Sequence, residues 1–236
     1  MNGKLILFPV TIGAEDISIS LPEYNLELLN TCHTFIVEEV RTARRFLKKA
    51  CYQFEIDDTT FLTLNEHTRD EDILNYLDPI TKGENIGLLS EAGLPCIADP
   101  GAKITRLAQQ HGYEIVPLVG PSSLLLALMA SGFNGQNFAF VGYIPVKGAE
   151  RRHAILQLET RAYKENQTQI FIEAPYRNNQ MLADLSETLN PHTLICIATD
   201  ITLPTQQIIT RTAAQWKKTR EQVNLHKRNT VFLIYK

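Results

Sequence analysis

No two of the four cysteines, Cys32, Cys51, Cys96 and Cys196, stand in a Cys-x-x-Cys pair, which removes the spacing expected of zinc ligands or of a disulfide framework. No apolar run approaches the roughly 20 residues that cross a bilayer; the densest spans only Leu124 to Ala130. The opening run, Lys4 to Pro9, is too short for a signal sequence and is soon followed by Glu15 and Asp16. The expectation is a soluble, cytoplasmic protein with no membrane partner. Neither charge sign is in excess: 23 Lys and Arg against 26 Asp and Glu give a net charge of −3. Any nucleic-acid contact therefore has to come from a local basic patch. The six histidines form no His-Glu-x-x-His pattern, and no metal is expected. A Gly-x-Gly-x-x-Gly fingerprint and a Walker A loop are missing, which excludes standard NAD and P-loop chemistry, and the absence of a Gly-x-Ser-x-Gly elbow weakens a hydrolase reading.

What the chain does have is 44% hydrophobic residues over 236 positions, enough for one large or two small domains with full cores. Its organising stretch is Ser90 to Gly101, Ser-Glu-Ala-Gly-Leu-Pro-Cys-Ile-Ala-Asp-Pro-Gly. Two glycines and two prolines within it cost too much in a helix or central strand, so the backbone must turn here. The stretch lies between a buried-strand pattern, Asn85 to Leu89, and apolar residues at helical spacing, Ile104, Leu107 and Ala108. Strand, glycine-rich loop and helix in that order form the ligand end of an open α/β sheet. Glu91 then faces the crevice mouth; Asp99 serves either the ligand or the cap of the helix after Pro100.

Further strands are expected at Lys4 to Pro9, Thr34 to Val37, Phe61 to Leu64 and Glu114 to Leu118, with helices from Pro22 or Glu23, over Arg41 to Ala50, and from Gly120-Pro121-Ser122-Ser123 to Ser131. Thr68-Arg69-Asp70-Glu71 has capping-box spacing and predicts a helix to about Leu77. The alternation implies a mostly parallel, helix-covered sheet. A breaker cluster, Gly132 to Gln136, suggests the boundary between an N-terminal α/β domain, 1–132, and a C-terminal α/β domain, 133–236. In the latter, strands at Phe138 to Gly142, Thr168 to Glu173, Leu194 to Ala198, Gln206 to Arg211 and Thr230 to Tyr235 alternate with helices Glu150 to Tyr163, Asn178 to Leu189 and Ala213 to Gln222. Consecutive strands around Pro204 predict an antiparallel pair and hence a mixed sheet. Five cations without an acid, Arg41, Arg44, Arg45, Lys48 and Lys49, make one helix face an anion-binding candidate. His67 beside Glu66 is a solvated loop histidine or a crevice residue, and Lys217, Lys218 and Arg220 are read as solubilising charge.

The run Leu88 to Gly101, followed by Gly120-Pro121-Ser122-Ser123, resembles the tetrapyrrole (corrin/porphyrin) methylase superfamily. More narrowly it resembles the RsmI branch, which methylates a ribose 2′-hydroxyl of small-subunit ribosomal RNA. Thr11-Ile12-Gly13, Glu38-Glu39-Val40-Arg41, Glu66-His67, Gly142-Tyr143-Ile144-Pro145 and Glu173-Ala174-Pro175-Tyr176-Arg177 support it in order and spacing. The resemblance implies two α/β domains with S-adenosyl-L-methionine in the cleft between them, in a homodimer. It also implies that the cofactor is surrounded by Pro9, Ile12 and Gly13, by Ser90, Glu91, Ala92, Gly93 and Pro95, by Ser122 and Ser123, by Glu173 and Ala174, and by Asp200 and Thr230.

Methyl transfer needs little beyond alignment and exclusion of water, but a ribose hydroxyl is a poor nucleophile and benefits from a base. Glu38, Glu66 and Glu173 are the unranked candidates, and Arg41, Arg44, Arg45 and Lys48 the candidate RNA contacts. Some positions depart from the branch pattern: Glu91 replaces an Asp, Val40 a hydroxyl residue, and Thr199 to Leu203 a more basic run. The ribosomal RNA or small-subunit reading therefore stands beside two others, methylation of a tetrapyrrole or another small molecule, and a non-catalytic cofactor- or RNA-binding relative.

Overall fold

Short runs of β-branched and aliphatic residues between turn formers place ten strands and eight α-helices in the computed structural model, which describes residues 2–69 and 71–236. The chain divides at Ser122/Ser123 into two compact units.

In the first unit β1 (Lys4–Phe8), β2 (Cys32–Val37), β3 (Thr60–Thr63), β4 (Asn85–Leu89) and β5 (Glu114–Pro117) form a sheet of order β3-β2-β4-β1-β5 in which every pairing is parallel. Alternate residues point to opposite faces of a strand, and both faces here are covered. Ile6, Phe8, Phe35, Val37 and Leu89 pack with α1 (Glu23–Leu29) and α2 (Val40–Lys49) through Leu29, Ala43, Phe46 and Leu47. Leu5, Ile36, Ile86 and Leu88 pack on the other side against Ile80 of α3 (Asp78–Thr81) and Ile104 and Ala108 of α4 (Ala102–Gln110). This is the parallel, helix-covered sheet expected from the alternation of strands and helices.

In the second unit β6 (Phe138–Tyr143), β7 (Thr168–Ile172), β8 (Leu194–Thr199), β9 (Gln207–Thr212) and β10 (Thr230–Tyr235) run in the order β6-β7-β10-β8-β9. Only β6 and β7 are parallel to each other, so the sheet is mixed, and β8 and β9 are the antiparallel neighbours expected around Pro204. Helices α6 (Gly148–Lys164), α7 (Asn178–Thr188) and α8 (Ala213–Thr219) cover one face, with Phe171, Phe232 and Trp216 fully buried at the centre. Helix α5 (Ser123–Ser131) packs against β8, β9 and β10. That is why the division of the chain falls before this helix, ten residues ahead of the Gly132 to Gln136 cluster.

One expected element does not form. Residues 71–77 are turns rather than a helix, and Asp70 of the expected capping box lies outside the described residues. The Thr68 hydroxyl accepts the Asn65 N–H at 2.9 Å, while the Asn65 side chain accepts the His67 N–H. The cap is thus used backwards, to close the loop after β3. Helical structure starts only at Asp78, with Pro79 in the first turn, where a missing N–H costs nothing. A true capping box closes α8 instead, between Thr212 and Gln215.

Gly87 sits in β4 between β1 and β2 because the buried Phe35 ring lies over it: a Cβ there would stand 2.5 Å from Phe35 Cδ1. Adding the methyl reduces unfolded-chain freedom, a gain of roughly 0.5–1 kcal/mol, but overpacking costs about 1–3 kcal/mol. Gly87→Ala is therefore expected to be destabilised on balance in urea unfolding; an unchanged midpoint would show that the ring moves aside freely.

Candidate functional site

Because all five strands of the first sheet run the same way, the loops after β1, β2, β3 and β4 share its carboxyl edge, where open α/β sheets bind ligands. The loop Ser90 to Gly101 is held there by its own polar groups. The Ser90 hydroxyl donates to the Gly93 carbonyl at 2.7 Å, and the Val10 N–H donates to the same oxygen at 3.0 Å, stitching the loop after β1 to the loop after β4. Gly93 has φ +73°, and a Cβ on it would lie 3.0 Å from both Ile12 Cγ2 and the Pro121 carbonyl. Three loops thus close on a position only glycine fills comfortably. Asp99 Oδ1 accepts the N–H groups of Cys96 and Gly101, each at 2.8 Å, so it braces the loop upon itself; α4 begins after Gly101 with no side-chain cap. Burial nevertheless raises its carboxyl above the usual range, with those two N–H groups pulling it back down.

Next to this loop is an acidic cavity of about 630 Å³ lined by Glu38, Glu39, Asn65, Glu66, His67, Glu91 and Asp99. Glu38 is the residue that follows β2. Ile36 pairs with Leu88, so two positions further Glu38 arrives beside Ser90 and Glu91. Burial, and then the charges of Asp99 and Glu91, push its carboxyl up to about 7, against the pull of a hydrogen bond from the Glu91 backbone. Glu66 shares the cavity, but its side chain and that of His67, 3.5 Å apart, are both open to water. Among the described residues no group of three or more His, Cys, Asp and Glu is arranged to hold a metal ion.

Glu173, in the second unit, is the reverse case. Its side chain is 1% exposed, and both oxygens are occupied: Oε2 by Arg151 at 2.5 Å, Oε1 by Arg177 at 2.6 and 2.9 Å and by the Ala174 N–H at 2.7 Å. Arg151, itself buried on α6, also donates to Asp184 and to the Pro145 carbonyl, both at 2.8 Å. This network pins the turn after β6 to the turn after β7. Arg151 and Asp184 carried no signal in the sequence, because a buried arginine on a helix as polar as α6 reads like any solvated one.

The other second-unit positions gather at one sheet edge. β10 runs antiparallel to β7 and β8, so Thr230 at its start lies opposite Thr199, where β8 ends before Asp200. Asp200 accepts from Arg228 at 2.8 Å and from the Thr205 hydroxyl at 2.9 Å, and the Thr199 and Thr230 hydroxyls are 3.2 Å apart. Glu173 and Ala174 follow β7 on that edge. Pro9, Ile12, Gly13, Ser90, Glu91, Ala92, Gly93, Pro95 and Ser122 belong to the first unit, and Ser123 opens α5 in the second.

Residues 21–216 match the family model described as Tetrapyrrole (Corrin/Porphyrin) Methylases. The chain belongs to that family. Within it, the chain is 31% identical over 214 residues to ribosomal RNA small subunit methyltransferase I of Bacillus subtilis, covering 90% of this chain and 68% of that protein. It is 30% identical over 201 residues to the proteins of the same name from Vibrio cholerae and Escherichia coli O157:H7, covering 85% of this chain and 66% of each. The chain thus spans about two thirds of the length of these relatives. Among solved structures, the methyltransferase CobJ aligns with a TM-score of 0.64 at 17% identity over 99% of this chain and 94% of its own. A cobalt precorrin-4 methyltransferase aligns at 0.60 and 14% identity over 98% and 94%. At these identities the two structures speak for the fold, which agrees with the two-sheet α/β architecture expected from the sequence.

The Glu38 carboxyl titrates higher in the folded protein than in the unfolded chain. Its contribution to stability is therefore present at pH below the usual glutamate range and is lost as pH rises through about 7. Glu38→Gln is expected to flatten the decline in Tm between about pH 5 and 8; a parallel decline in both proteins would place the Glu38 pKa in the ordinary range.

Proposed function

We propose that this protein is an S-adenosylmethionine-dependent methyltransferase that acts on a ribose 2′-hydroxyl of small-subunit ribosomal RNA, with Glu38 as the general base. One observation carries the reading: in a chain of this family, an acid at the ligand edge of the parallel sheet is held near pH 7 by burial and by two neighbouring carboxylates.

The first-unit loops fit the cofactor. The glycine cradle at Gly93 permits close backbone approach, carbonyls and hydroxyls suit the ribose and amino groups, and the exposed Glu91 carboxylate suits the ammonium. Glu173, with both carboxylate oxygens occupied, holds its loop rather than acting as a base. When bound, S-adenosylmethionine supplies a methyl group already activated on a sulfonium. Glu38 takes the proton from the hydroxyl as its oxygen becomes the nucleophile. An acid titrating near 7 is partly ionised at neutral pH and is basic enough to accept that proton, the compromise that favours a general base. Glu66, by contrast, is open to water. A tetrapyrrole acceptor is less suited, because the 630 Å³ cavity is lined by acids rather than by a large apolar wall. A cytoplasmic location and a homodimer go with the same reading.

The test is methyl transfer from labelled S-adenosylmethionine to small ribosomal subunits taken from a strain lacking this gene. Label is expected in RNA ribose; Glu38→Gln is expected to lower kcat by about 10²–10⁴-fold while calorimetry shows cofactor affinity retained, and Gly93→Val to abolish cofactor binding. A folded protein that binds no cofactor would overturn the methyltransferase reading, and cofactor binding without label in any RNA would overturn the acceptor.

A further inference from the structure

The five cations of α2 are not equivalent. Arg44 is committed to Asp57, in the 3₁₀ turn before β3, and so braces the helix within the fold. Arg45 and Lys49 are exposed, and among the described residues neither has a carboxylate at ion-pair distance. Four residues apart, they stand one above the other on the same helix face. That face borders a second cavity, of about 130 Å³, whose wall includes Thr11 after β1, Thr42 of α2, and Ser90 and Glu91 after β4. Its volume is roughly that of four water molecules, room for one phosphate group. Glu91 lines this cavity and the acidic one as well, so the two are neighbours with a shared wall.

We propose that Arg45 and Lys49 seat a backbone phosphate of the RNA next to the nucleotide whose ribose meets Glu38. The proposal rests on RNA as the acceptor. Arg45 can fork two N–H groups onto phosphate oxygens while Lys49 adds a mobile point charge, and the Thr11 and Thr42 hydroxyls supply neutral donors. The acidic cavity repels phosphate and receives the sugar hydroxyl; the basic cavity draws in the phosphate. The shared wall sets the register of the strand, since a phosphate displaced toward Glu38 would meet the carboxylates of the acidic cavity. Of the cations on this helix, the pair facing the cavity does the seating and Arg44 does not, although spacing alone offered all five alike.

The experiment is fluorescence anisotropy of a single-stranded RNA oligonucleotide, titrated with protein across a salt series, together with KM and kcat on small ribosomal subunits. Each phosphate neutralised on a single strand contributes about −0.7 to the slope of log K against log salt. Arg45→Ala/Lys49→Ala is therefore expected to make that slope shallower by about 0.7, and to raise KM for RNA with kcat and cofactor binding kept. Arg45→Lys/Lys49→Arg preserves the charge and should keep the slope. Lys217→Ala/Lys218→Ala, on α8, should also leave it unchanged. An unaltered slope in the alanine pair, or an equal loss in the α8 pair, overturns the phosphate seat while leaving the methyltransferase reading intact. If the unaltered protein binds cofactor but no RNA, the acceptor reading falls and the seat falls with it.

Discussion

Parallel pairing of β1, β2 and β4 is the constraint on which the first unit's site depends. Strands that run the same way deliver all their carboxyl ends to one rim, and the register decides which residues meet there. Phe8 opposite Leu89 brings Val10 within reach of the Gly93 carbonyl; Ile36 opposite Leu88 brings Glu38 beside Ser90 and Glu91. A shift of one residue would turn Phe8, Phe35 and Leu89 out of their core and reverse the side on which Glu38 lies. The burial that fixes the register therefore also fixes the chemistry. The hydrogen bonds that close the rim, from Val10 and Ser90 to Gly93 and from Cys96 and Gly101 to Asp99, contribute only about 1 kcal/mol each. Their effect is on position more than on stability.

The second sheet reaches the same end by a different route. Its strands are mostly antiparallel, so Thr230 joins Asp200 and Ala174 at one edge because β10 starts where β7 and β8 finish. The turns on that edge are tied by buried charge. Arg151 and Glu173 together leave almost nothing exposed, and the desolvation of such a pair commonly offsets its attraction, while removal of one partner costs about 3–5 kcal/mol. A network of this kind restricts where Pro145 and Ala174 can go. Apolar packing of the same volume would stabilise at least as well and would leave the turns unfixed.

Strands and most helices were legible in the sequence because burial imposes its period directly. The Ser90 to Gly101 loop was legible because turn formers between a buried strand and an amphipathic helix admit few conformations. Where one signal had two physical outlets, it misled. Thr68 has the spacing of a cap, but Asn65 lies nearer and takes its hydroxyl. Helix α5 is apolar all round, so its pattern does not say which sheet it joins, and only packing on β8, β9 and β10 decides. The breaker cluster at Gly132 to Gln136 marks the end of that helix and is silent about its partner. Ranking Glu38, Glu66 and Glu173 was out of reach, since neighbours that come together only in the fold separate an exposed acid, a doubly clamped one and a tuned one.

Three carboxylates lie close together at a strand edge, and burial with the charges of the other two raises Glu38. Asp99 receives two N–H bonds from its own loop, and Glu91 turns outward to water. Glu38 has a single backbone donor against burial and two negative neighbours. It is therefore the group on which a proton rests near neutral pH. An uncompensated acid of this sort makes the folded state less stable as it ionises, a cost that a purely structural role would remove by exchanging it for a neutral residue. Its place at the rim, next to the loop held by Ser90 and Val10, fits the general-base role proposed for it.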